Sequence, residues 1–216
     1  MMRLYLLRHG EVELAGLRHY GHTDLALSPR GLAQARAAAA ALARMDVVAV
    51  LSSDLQRAAK GAQLVGDTHG ITPHADAALR EIHLGVLEGM PHDQAMREYP
   101  ELHDFRYRDL VDRAFPQGEN LVGVAARVRP VIAQLRQRHA AQIVVMVAHN
   151  SVNRIVLADA LGLPLSEMFA FRQDYGCINR IDYVDGGASV GLINWTPEAP
   201  AEPEHPAALR HLAYAF

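Results

Sequence analysis

The chain has a single cysteine among 216 residues. Cys177 therefore cannot close an internal disulfide or build a cysteine zinc site. It stands in "GCINRIDYV", at the head of a strand-like run, where packing in a core is the expected role. Long apolar runs are also missing: none approaches the ~20 residues needed to span a bilayer. The opening "MMRLYLLRHG" lacks an extended apolar region and a cleavage site, so no secretory signal is read and a cytoplasmic location is expected. Positive charge is not in excess. Twenty-one Lys and Arg face 24 Asp and Glu, a net charge of −3, which argues against a dedicated nucleic-acid surface. There is no GxxxxGK[ST] loop and no GxGxxG after the first apolar run, which argues against a generic nucleotide-binding protein. Histidine is plentiful at 12 residues, yet no pair has the HExxH spacing that places two ligands on one helix face. No metal site and no cofactor are expected.

What is present is enough for a sizeable core, since half the residues are hydrophobic. Arg3 to Leu7 reads as a short strand running into "RHG", where Gly10 would make the turn. "LSPRGLAQARAAAAALARM" reads as a helix with Ser28 as N-cap and Pro29 at its first position, continuing to about Met45. "DVVAVLSS" is a second strand. "DLQRAAKGAQLVGDTHG" is a second helix, capped by Ser53 or Asp54 and closed by Gly70. "ITPHA" is a short strand. The polar, irregular region of about 82–117 reads as loops and short helices inserted over the sheet. "GENLVGVAARVRPVIAQLRQRHA" is a long amphipathic helix, and "QIVVMVAHNSVNRIVLADALG" is strand, tight turn and helix, stopped by Gly162 and Pro164. "CINRIDYV" and "ASVGLINW" form a last strand pair, turned at Asp185-Gly186-Gly187. A Pro-rich tail, 196–216, follows. This alternation predicts an α/β fold with a largely parallel central sheet, helices on both faces and an antiparallel edge.

Ligands in such sheets collect beyond the carboxyl ends of the strands. Three of those ends carry unusual groups: Arg8 and His9, Arg57 one turn into a helix, and His149 before a helix. Two arginines and two histidines repel one another unless an anion lies between them. Arginine offers phosphate a planar two-pronged donor set, and a helix starting at Asn150 would add backbone N–H groups. A sulfate or carboxylate would satisfy part of this. Phosphate also accounts for a central histidine, because imidazole can attack phosphorus. These groups are expected to point into a solvated pocket.

Five blocks, in order, resemble the histidine phosphatases, the phosphoglycerate mutase-like superfamily: "LLRHGEVE", "LSPRGLAQA", "LSSDLQRAAKGA", "LREIHLGVLEG" and "VVMVAHNS". The resemblance extends to about Trp195. It implies one three-layer α/β/α domain over 1–216, with the 82–117 insertion as a lid. It implies His9 as nucleophile, with Arg8, Arg57 and His149 binding the transferring group and Glu81 as proton donor. Glu88 is the rival donor, at a position that supports the loop in the family. Thr23 and Asn150 join Arg8, Arg57 and His149 as expected substrate contacts. Glu11 is expected to pair with a nearby base or to cap its loop, His83 to line the pocket or serve structure, and the loop of His19 and His22 to fold over the phosphate. The chain departs from the family in places. Cofactor-dependent mutases hold substrate with Arg and Tyr where this chain has Ile82 and Leu84, and their insertion is longer and more basic. Leu14-Ala15-Gly16 stands where many members place a phosphate-binding asparagine, and Ala148 replaces a common glycine. The resemblance thus points to a metal-independent phosphomonoesterase acting on small metabolites through a phosphohistidine, with α-ribazole phosphate, phosphoserine and sugar phosphates as candidate substrates. Phosphoglycerate mutase is the alternative reading, and a non-catalytic phosphate-binding module a further one. The expected partner is the small phosphomonoester, without nucleic acid or membrane; a homodimer is left open.

Overall fold

The computed structural model describes residues 1–100 and 107–197. The rest of the predicted tail, and residues 101–106 of the predicted lid, lie outside them. Eleven strands and α-helices order the described chain: β1 Met2–Arg8, α1 Pro29–Leu42, β2 Val47–Ser52, α2 Gln56–His69, β3 His74–Ala75, α3 His92–Glu98, α4 Leu121–Arg138, β4 Ile143–Ala148, α5 Asn150–Leu161, β5 Ile178–Val184 and β6 Gly187–Trp195. The sheet order is β3-β2-β4-β1-β5-β6. The β1–β4, β2–β4 and β2–β3 pairs are parallel, whereas β5 and β6 add antiparallel pairs at one side. This is the predicted α/β fold. Among the described residues no helix is long and apolar enough to cross a membrane.

Alternation along β1 divides the core. Leu4 and Leu6 face a cluster with Met146, Val128 of α4 and Ile155 of α5, while Tyr5 and Leu7 face one with Val147, Ala39 of α1 and Val65 of α2. Helices therefore cover both faces, in three layers. Leu4, Leu6 and Ile155 are fully buried, so truncating any one to alanine is expected to cost about 2–5 kcal/mol.

Local chemistry sets the helix ends. Ser28 caps α1 by accepting from the Gly31 amide at 3.0 Å, with Pro29 in the first turn as predicted. The helix stops at Leu42, short of Met45, because the amides of Ala43 and Met45 bond only three residues back and turn the chain toward β2. The expected Ser53 or Asp54 cap of α2 is not formed. Leu55 is the N-cap residue, and Asp24, from a distant loop, accepts from the Gln56 amide at 2.8 Å. Ser53 accepts from Leu55 and Asp54 pairs with Arg80 instead. Gly70 and Gly162 close α2 and α5 in the left-handed conformation, where a side chain would be strained. In-register pairing of Leu7 and Ser52 with Val147 brings the ends of β1, β2 and β4 to one edge.

Candidate active site

His9 follows β1 directly. Its amide donates to the Ala148 carbonyl at 3.1 Å, and its carbonyl accepts from Gly176 at 3.1 Å. Gly10 has no positive φ. Its smallness is required because a Cβ there would lie 2.1 Å from the Gly31 carbonyl oxygen, so α1 packs straight onto the "RHG" backbone. The Gly10 carbonyl lies 2.7 Å from His9 Nδ1 and can only accept, so Nδ1 carries the proton and Nε2 keeps its lone pair. Burial, then Arg57 and Arg8, hold the His9 imidazole well below its usual proton affinity. His149, the N-cap residue of α5, is fully buried with its ring centroid 5.0 Å from that of His9, edge-on. Burial, then Arg57, keep it neutral as well, and neither of its ring nitrogens has a hydrogen-bond partner among the described residues.

Arg57 is fully buried in the first turn of α2. Its Nη1 donates to the Thr23 carbonyl at 2.8 Å and its Nη2 to the Gly21 carbonyl at 2.6 Å. Arg8 donates to the Gln173 carbonyl, and its guanidinium carbon lies 3.9 Å from the ring centre of Tyr175. The buried Nε of each arginine is without a partner among the described residues. The sequence therefore brings Arg8, His9, Arg57 and His149 together, but not in a solvated pocket: His9 is 3 % exposed, and Arg57 and His149 are 0 % exposed. The loop after β1 packs on Arg57, tied to it through its carbonyls. Two fixed positive charges and two neutral imidazoles with unpaired nitrogens form a setting for a compact oxyanion.

Glu81 lies at the same place. Its carboxylate accepts from the Ile82 amide at 2.8 Å and meets the Ser151 amide at the head of α5. Burial lowers the proton affinity of Arg57, and Glu81 is the foremost anionic group opposing that. The α5 terminus thus serves a carboxylate through Ser151. Asn150 turns its side-chain oxygen to Arg154 at 2.8 Å. Glu88 is wholly engaged, accepting from the amides of Gly21, His22, Thr23 and Leu84 and from the Thr23 hydroxyl. Burial pushes its carboxyl up, but these donors outweigh that and hold it below its usual range. Both donors of Thr23 therefore face Glu88. Glu11 accepts from the Ser28 hydroxyl at 3.0 Å and faces Arg30 at 3.8 Å, a cap and a base together. His22 bonds the Glu81 carbonyl at 2.9 Å and packs edge-on to His83. His19 pairs with His92 at 2.9 Å, and burial pushes His19 down to about 4.

Several residues at the site carry no local signal in the sequence. Arg127 of α4 donates to the carbonyls of Ala78, Arg80 and Glu81, while Glu119 holds it with two bonds of 2.9 Å. In sequence it reads as one more cation on a helix face. Gln173, which holds Arg8 through its backbone, is fixed by Asn179 at 2.8 Å and Asn153 at 3.3 Å, all three buried. Tyr20 and Tyr175 join their hydroxyls across the site. Cys177 is buried and free, with burial pushing its thiol up to about 11, as a core residue should be. No group of three or more His, Cys, Asp or Glu among the described residues could hold a metal ion.

The fold agrees with what the family comparison finds. The chain belongs to the histidine phosphatase superfamily (branch 1), whose model matches residues 4–196, and it is a phosphomonoesterase of that family. It is 30% identical over 203 residues to the adenosylcobalamin/α-ribazole phosphatase of Salmonella typhimurium, covering 91% of this chain and 100% of that one. A mycobacterial glucosyl-3-phosphoglycerate phosphatase superposes with a TM-score of 0.81 at 32% identity, covering 89% of this chain and 98% of that one. A protein of Yersinia pestis described as a probable phosphoglycerate mutase is 28% identical, covering 85% of this chain and 86% of that one.

Proposed function

We propose that the chain hydrolyses phosphomonoesters of small metabolites in two steps through His9, without a metal. The observation that carries the reading is the Nδ1–H bond to Gly10, which aims a neutral Nε2 among Arg8, Arg57 and His149. Nε2 attacks phosphorus, the P–N bond forms as the ester P–O bond breaks, and Glu81 gives its proton to the departing oxygen. Arg8, Arg57 and His149 take the charge on the equatorial oxygens. Water, deprotonated by Glu81, then attacks phosphorus, the P–N bond breaks and inorganic phosphate leaves. Asn150 remains a proposed contact through its side-chain amide nitrogen, and Thr23 remains one only by turning its hydroxyl from Glu88 to the substrate.

The relatives named for α-ribazole and glucosyl-3-phosphoglycerate support a hydroxylated, sugar-containing substrate. Mutase activity is the second reading, favoured by the Yersinia relative. Against it, Ile82 and Leu84 are buried, at 4% and 9% exposure, and offer no polar group where mutases hold substrate.

Brief incubation with ³²P-labelled ester should yield a phosphoenzyme labile in acid and stable in alkali, undiminished by EDTA and absent from His9→Ala. A serine- or aspartate-type phosphoenzyme, full turnover by His9→Ala, or loss of activity on chelation restored only by a divalent ion would overturn the proposal.

A further inference from the structure

Tyr20 reaches the site from the loop after β1, and Tyr175 from the segment before β5. Their hydroxyls are hydrogen-bonded to each other. Each ring also lies beside an arginine of the cluster: Tyr175 at 3.9 Å from Arg8, Tyr20 at 5.6 Å from Arg57. The Tyr175 ring centroid is 5.7 Å from that of His9. The pair therefore runs from one arginine to the other past the histidine that the preceding reading makes the nucleophile. An ester seated on Arg8, His9, Arg57 and His149 therefore lies beside this pair, and His9, Arg57 and His149 are themselves buried.

From this arrangement we infer that Tyr20 and Tyr175 select the leaving group, admitting an ester by parting their mutual hydrogen bond and favouring alcohols whose own hydroxyls replace it. The inference rests on the phosphatase reading. Parting the pair leaves two half-buried phenolic hydroxyls without each other, and a bound ester shields them from water. Burial, and then its partner Tyr175, keeps the Tyr20 hydroxyl protonated, so it remains a donor. A polyol offers donors and acceptors to both hydroxyls. A plain alkyl group offers none, and buried polar groups left unpaired cost more than a bond gained returns. The class of substrate favoured is therefore a phosphomonoester of a hydroxylated alcohol, such as a sugar or glycerol, over one of an unsubstituted alkyl chain.

The test compares glycerol 1-phosphate with n-propyl phosphate, which share a primary leaving oxygen and differ in two hydroxyls. Wild type, Tyr20→Phe, Tyr175→Phe and the double variant are measured as kcat/KM for both esters. Phenylalanine keeps the ring beside each arginine. The ratio of glycerol to propyl ester should fall about 3- to 10-fold in either single variant, the worth of one neutral hydrogen bond. The double variant should fall by no more than the product of the singles, because the two hydroxyls act on one group of the substrate. An unchanged ratio, or equal loss of both esters, would overturn the inference and leave the phosphatase reading standing. Failure of folded wild type to hydrolyse either ester, or p-nitrophenyl phosphate, would overturn both. A variant with a lowered melting temperature is replaced by the other single variant, since each alone breaks the bond.

Discussion

Both carboxylate oxygens of Glu81 lie 3.2 Å from the backbone nitrogen of Ser151. Ser151 is in the first turn of α5, so the proposed acid also satisfies an amide at the positive end of that helix. Glutamine keeps an oxygen for the Ser151 and Ile82 amides but has no proton to give. Glu81→Gln should change stability by less than about 1 kcal/mol. Single-turnover phosphorylation by an alkyl phosphate should fall about 10²–10⁴-fold, and by p-nitrophenyl phosphate far less, because nitrophenolate leaves without a proton. Equal losses with the two esters would mean that Glu81 holds the site rather than feeds it a proton.

Glu88 should behave in the opposite way. Its carboxylate gathers the amides of Gly21, His22 and Thr23, and the Gly21 and Thr23 carbonyls in turn meet Arg57. Glu88→Gln puts an NH2 group against at least one of these donors. Chemical denaturation should show a loss of about 1–3 kcal/mol. Activity should drop by the same factor with alkyl and nitrophenyl esters. A loss confined to the alkyl ester would move the acid role to Glu88.

The buried amides behind Arg8 are expected to act through it. Asn179→Leu removes both bonds to Gln173, together with those to the Leu6 carbonyl and the Asn194 amide. We expect kcat/KM to fall about 10-fold, and Arg8→Ala to cost less in that background than in wild type, the coupling expected of residues in one network. Full additivity in this double-mutant cycle would show that Asn179 serves stability alone.

The buried imidazoles give stability a pH dependence of known sign. His9 and His149 bind protons far more weakly folded than unfolded, where the value is near 6.5. His19, His22 and His92 shift the same way. The unfolded chain therefore holds more protons below about pH 6.5, so stability is lost as pH falls through the window from 6.5 to 5. Each fully buried histidine contributes a slope that grows toward about 1.4 kcal/mol per pH unit at the acid end of that window. Melting temperatures across that range should fall with acidity, less steeply in His149→Asn, and less steeply again with orthovanadate, whose charge favours the protonated rings. A flat profile would show that the rings take up protons as readily in the folded protein as in the unfolded chain.

What the sequence reveals of this molecule is what local chemistry writes. Ser28 and Pro29 announce α1, and apolar runs announce the strands whose ends carry Arg8, His9 and His149. Arg57 is found by its place one turn beyond the second strand, whereas Glu81 is found through a block that resembles a family, since a glutamate alone has no signature. The cap of α2 is misread because Asp24 comes from 32 residues away, while the nearer Ser53 and Asp54 have other partners. Arg127, Gln173, Asn179 and the two tyrosines escape for the same reason, as each acts on a segment brought to it by the sheet. The enclosure of the site also escapes, because polar residues read as solvated until the loop that packs on Arg57 is in place.

Arg127 fastens the Ala78–Glu81 carbonyls to α4, a helix that begins after the 82–117 insertion has ended. The proposed acid is thus anchored to the scaffold, while the insertion proposed as a lid is a separate stretch of chain. Inheritance can treat the two as independent parts. Exchanging residues 90–115 with those of a relative should change which esters fit and leave the hydrolysis of a small, promiscuous phosphate ester near its original rate. One catalytic apparatus could in this way serve a succession of metabolites.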